Sequence, residues 1–142
     1  PSGDIVMTDE LVALAKDDRE VHAVLAHELG HLEKRHSLRQ LLQGTIVGLV
    51  VSWYLGDVSS ILASAPAAIL QARYSRDFER EADVFGASML KSNNISPGYL
   101  ANMLERLEKA HGRESAADND GGNDYFATHP GTSERVRVLR EQ

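Results

Sequence analysis

His27-Glu28-Leu29-Gly30-His31 reads HELGH. Residues four apart on an α-helix share a face, so His27 and His31 can point at one ion, and imidazole nitrogens suit zinc. Glu28 lies about 100° round from His27 at 3.6 residues per turn. Its carboxylate therefore stands beside the ion rather than on it. From there it can take a proton from a water that the ion activates.

The motif needs a helix, and the flanking residues supply one. Val21, Val24, Leu25, Leu29 and Leu32 recur at three- and four-residue spacings. Asp17, Asp18 and Glu20 precede the motif, and Lys34, Arg35 and Arg39 follow it, which complements the helix dipole. The spacing predicts one helix from about Asp18 to about Leu42.

With 142 residues the chain fits a single domain over 1–142, large enough to bury a core without staples. It has no cysteine, so a metal site must draw on His, Asp and Glu. A formal net charge of −6 argues against a nucleic-acid partner, which would want a basic face. The chain opens on Pro1 rather than Met and is read as an N-terminally truncated piece of a longer protein.

The reading along the chain is mainly α with a small β element. Residues 4–8 (DIVMT) are short, apolar and partly β-branched, which predicts a strand. Residues 9–16 form a short amphipathic segment with Leu11, Val12 and Leu14 inward. Residues 44–72 are the most apolar stretch. Between Arg39 and Asp57 stand 17 uncharged residues, just short of a spanning helix. They read either as a pair of buried or groove-lining helices or as a hairpin in contact with a membrane. Residues 73–91 return to a charged helix with Ala82, Phe85, Gly86, Met89 and Leu90 inward. Ser96 and Pro97 open a further helix to about His111, burying Leu100, Met103, Leu104 and Leu107. Residues 112–124 have little to bury and read as a flexible loop. A last helix places Val136 and Leu139 inward.

Two His do not complete a catalytic zinc site, which takes three protein ligands and one open position. His22 and His36 stand five residues from the motif's two His and project away, so they read as solvated or capping. His111 ends a helix and carries no specific signal. Glu79 is the best candidate for the third ligand, on a helix packed across the first. Asp83, one turn on, could accept the second ring N–H of a ligand His. Glu81 lies on another side and reads as solvated. His129, in Thr128-His129-Pro130, reads either as a structural turn residue or as a group reaching the site, to bond a substrate oxygen or to gate the metal.

Taken together, HELGH with Arg35-His36, Tyr74-Ser75-Arg76, Glu79 with Ala82-Asp83, and Thr128-His129-Pro130 with Arg135 resemble the HtpX/Oma/BepA-type zinc metallopeptidases. That family includes the CAAX prenyl-protein endopeptidases. The resemblance covers nearly the whole chain. It implies one Zn2+ on His27, His31 and Glu79, with Glu28 as general base and Asp83 as outer contact. It implies a zincin-like (gluzincin) fold, in which the HExxH helix packs against a glutamate helix beside a small sheet. By analogy it implies polypeptide substrates and protein quality control in the cell envelope. For residues 44–72 it implies either a transmembrane hairpin or helices near the cleft. Family members carry a further strand upstream, so the strand expected at 4–8 lacks its neighbour here. A rival from another class is a zinc-held, non-catalytic or autoinhibited module, its metal closed by a fourth ligand such as His129. Nothing in the sequence fixes an oligomeric state.

Overall fold

A computed structural model of the chain describes residues 3–55, 61–114, 129 and 132–142. Among them run six helices: α1 Asp9–Leu14, α2 Asp18–Glu33, α3 His36–Leu55, α4 Ile61–Ser92, α5 Gly98–Glu114 and α6 Thr132–Arg140. The fold is mainly α, with the HELGH helix α2 packed along α4.

Local chemistry sets the boundaries. Thr8 caps α1 by accepting from the Leu11 N–H, and Asp17 caps α2 by accepting from the Arg19 N–H at 2.9 Å. Asn94, in the left-handed region at φ 60, closes α4. There Ile95 N–H donates to the Leu90 carbonyl at 2.9 Å and Asn94 N–H to that of Lys91 at 3.0 Å, while Ile95 packs on the core. The next helix starts at Gly98, whose N–H donates to Ser96 Oγ at 3.2 Å.

The end of α2 differs from expectation. Arg35 sits at φ 54 after the capping Lys34, and its N–H donates to the Leu32 carbonyl at 3.0 Å. A left-handed non-glycine residue costs roughly 1–2 kcal/mol. The single helix expected to reach Leu42 is therefore two helices, and α3 sets off afresh from His36.

The core lies where α2, α4, α5 and α6 meet: Ala23, Val24, Ala26, Ala87, Leu90, Leu100, Met103, Leu104 and Leu139. The larger apolar residues of α2 are not its packed face, and Leu29 is exposed. The buried face is instead Glu20, Ala23, Val24, Ala26, His27 and Gly30. Small residues let the two helices touch backbone to backbone. A Cβ on Gly30 would stand 2.9 Å from Ala82 Cα and 2.9 Å from its carbonyl oxygen, and one on Gly86 would stand 3.1 Å from the His27 nitrogen. On the far side of α2, buried Glu20 pairs with Arg106 of α5 and accepts from the Lys16 N–H at 2.8 Å.

Several expectations are corrected. Residues 3–8 form no strand among the described residues, and Val6 is 88% exposed. A strand needs a neighbour, and no described segment supplies one. Val12 and Met89 face outward. Of the two readings of residues 44–72, burial does not hold for the described part on α3, where Ile46, Leu49, Val50, Trp53 and Tyr54 are exposed. No helix among the described residues is long and apolar enough to cross a membrane. Residues 112–114 belong to α5, and the rest of the expected loop lies outside the described residues.

Gly30→Ala should lower the unfolding free energy by about 1–3 kcal/mol, because the methyl forces α2 and α4 apart. Thermal unfolding checks it. Helix propensity alone would favour Ala by about 1 kcal/mol, so an unchanged or raised Tm would mean that the close approach is not what holds the pair.

Candidate metal centre

The break at Arg35 and the tight α2–α4 crossing gather one cluster. His27 and His31 turn their Nε2 atoms to within 3.1 Å of each other. From α4, Glu79 brings Oε2 to 3.4 Å from His27 Nε2 and Oε1 to 3.2 Å from His31 Nε2. His129 arrives from beyond α5, its Nδ1 3.1 Å from Glu79 Oε1 and 3.5 Å from His27 Nε2. One ligating atom from each of these four side chains falls within 4.8 Å of the others. Glu28 stands at the edge, half-buried, with Oε1 3.6 Å from His129 Nε2.

A further layer holds these groups. His27 is fully buried, and its Nδ1 lies 2.9 Å from Asp83 Oδ1. Arg135 of α6 grips Asp83 with two bonds, Nε to Oδ2 at 2.7 Å and Nη2 to Oδ1 at 2.8 Å. Its third nitrogen lies 2.7 Å from Glu79 Oε2. Two buried carboxylates thus share one buried guanidinium, which lowers the cost of keeping both charged.

His36 corrects the sequence reading. It is 3% exposed rather than solvated, with its ring stacked on Phe78 at 4.5 Å and 16°. Its Nδ1 lies 2.9 Å from His31 Nδ1, and its Nε2 lies 3.3 Å from Glu81 Oε2. Glu81, expected to be solvated, takes two bonds from Arg39, at 2.6 and 3.1 Å. Arg39 also lies over the Phe78 ring. The sequence reading gave no role at the metal cluster to His36, Glu81, Phe78 or Arg39. A helix break at Arg35 would have revealed them, but no Gly, Asn or Pro marks it. His22 is exposed as expected, and the side chain of His111 lies outside the described residues.

The charges follow from burial and partners. Burial alone would lower the His27 imidazole, but hydrogen bonds to Asp83 and Glu79 outweigh it and hold it up to about 9. Burial opposes the Glu79 charge, yet the bonds from His129, His27 and His31 keep it well below the usual carboxylate range. Asp83 is lowered in the same way, burial being outweighed by His27 and Arg135. Arg39 chiefly holds Glu81 down to about 2, and burial lowers His36. Convergent imidazole and carboxylate donors, with each motif His engaged at its other ring nitrogen, form a donor set that fits zinc.

Residues 1–142 match peptidase family M48. The chain belongs to that family. It is 31% identical to the mitochondrial metalloendopeptidase OMA1 of Arabidopsis thaliana, over 99% of this chain and 28% of that protein. It is 32% identical to the metalloprotease YcaL of Escherichia coli, over 89% of this chain and 50% of that protein. It is 28% identical to the protease HtpX of Legionella pneumophila strain Lens, over 85% and 56%. The chain thus spans about half or less of the length of the first two relatives. No solved structure matches it.

The sign of each shift sets a pH profile for the metal-free protein. His27 is raised from 6.5, so the stability it contributes is full below 6.5 and lost as pH rises through about 9. Asp83 is lowered from 3.8, so its contribution is present above that value and lost as pH falls below it. Thermal melts in a chelator should show a plateau between these limits and a fall on either side. A profile flat from pH 6.5 to 9 would contradict the alkaline limb.

Proposed function

We propose that this domain is the catalytic unit of a zinc metalloendopeptidase that hydrolyses polypeptides. The observation that carries the proposal is the convergence of His27, His31 and Glu79 with Glu28 at the rim of the same cluster. His27, His31 and Glu79 would hold the ion. Zinc, when bound, supplies a Lewis acid that acidifies a water and polarises a carbonyl. Glu28 takes the proton of the attacking water as general base. The same carboxyl then returns that proton to the leaving amine as the peptide C–N bond breaks. Asp83, clamped by Arg135, holds the buried His27 ring in one orientation. His129, next to Glu79 and near Glu28, would bond the oxygen that gains charge.

An extended substrate segment would pair with residues 4–8, which join no ladder among the described residues. The exposed apolar side chains of α3 support a setting beside a membrane, in keeping with a role in cell-envelope protein quality control. A second reading, a metal site closed by a fourth ligand, draws on one observation. The His129 ring nitrogen lies as near the cluster as the other three donors.

Glu28→Gln should retain one zinc per chain and lower casein cleavage by about a hundredfold to ten-thousandfold. Metal analysis and a cleavage assay on the full-length protein check it. Wild-type cleavage by that variant would refute the role of Glu28.

A further inference from the structure

His36 is the buried imidazole for which the mechanism above has no use. It is held with unusual thoroughness. The backbone leaves the helical region at Arg35, at φ 54, so that α3 begins at His36. On an unbroken helix, residues five apart are turned roughly 140° from each other, and His36 would point away from His31. With the break, the two rings meet edge to face at 4.8 Å and 79°. Phe78, the residue before Glu79, stacks on the other side of His36. One side chain thus touches both helices that carry the candidate ligands.

The atoms allow a single proton arrangement. If His31 offers Nε2 to an ion, its Nδ1 carries the hydrogen. That hydrogen points at His36 Nδ1, 2.9 Å away, which must then be an acceptor. The His36 hydrogen therefore sits on Nε2, facing Glu81 Oε2 at 3.3 Å. Glu81 can accept it because Arg39 holds both of its oxygens. Reversing either imidazole would set two N–H groups or two lone pairs against each other.

We propose that His36 is the positioning residue for the zinc ligand His31, with Glu81 and Arg39 fixing the tautomer in which His36 accepts from His31 Nδ1. This rests on the reading of His27, His31 and Glu79 as the zinc site. His27 and His31 are thereby served by unlike devices. His27 leans on the carboxylate of Asp83 within α4. His31 leans on a neutral ring at the start of α3 and only through it on a carboxylate.

The test is zinc affinity in the full-length protein, measured by competition with a chromophoric chelator, together with the visible spectrum of the cobalt-substituted protein. His36→Phe keeps a ring to stack on Phe78 but removes the acceptor. It should weaken zinc binding by about 10- to 100-fold, the usual effect of losing such a contact. His36→Asn loses the stack but sets an amide oxygen near the place of Nδ1, and it should recover most of that loss. Glu81→Ala removes the acceptor of the His36 Nε2–H at a partly exposed position, and should weaken zinc binding and shift the cobalt spectrum. The inference is overturned if wild-type protein binds zinc and His36→Phe binds it equally well. It is also overturned if His36→Asn is no better than His36→Phe, which would make packing the cause. If His36 variants fail to fold, an unchanged affinity and cobalt spectrum in Glu81→Ala overturns it. Wild-type protein that binds no zinc overturns the metal site itself, and this inference with it.

Discussion

The site depends on how closely α2 and α4 approach. Gly30 faces the backbone of Ala82, and Gly86 faces the backbone of His27. Nothing larger fits at either point. The contact brings Glu79, on α4, within 3.4 Å of both motif imidazoles, which lie on α2. It also sets Asp83 beside the buried nitrogen of His27. Larger side chains at the crossing would push the axes toward the usual 8–10 Å of packed helices and draw the donors apart. The geometry of the cluster is therefore set by residues that carry no chemistry.

The two layers of the site use electrostatics differently. Around His27 the partners are fully charged and buried, and they stay affordable because Arg135 neutralises Asp83 and Glu79 together. Around His31 the partner is a neutral ring, and the charged pair Glu81–Arg39 lies one step further out, partly in solvent. Burial of charge thus decreases from the His27 side of the cluster to the His31 side.

Much of this was legible in the sequence. HELGH marked one pair of candidate ligands, and the i, i+4 spacing of Glu79 and Asp83 placed them on one helical face. The inward faces of α5 and α6 followed from Leu100, Met103, Leu104 and Leu139. Other features were hidden for physical reasons. The short apolar, partly β-branched run at 4–8 matches a strand pattern, but pairing is a non-local property that the pattern does not encode. The leucines of α2 suggested a greasy seam, whereas close packing selected Gly and Ala. The turn at Arg35 uses a residue that ordinarily continues a helix, so tertiary contacts of His36 rather than local propensity decide it.

Arg135 joins the candidate site to the last helix. The nine residues of α6 are too few to hold a helix unaided, and they are secured by Leu139 in the core and by this guanidinium. During synthesis this guanidinium emerges about a hundred residues after the two His of the motif. Until residue 135 has left the ribosome, Asp83 and Glu79 lack the one arginine that they share in the folded domain. Docking of α6 is thus the step that completes the counter-charge of the cluster.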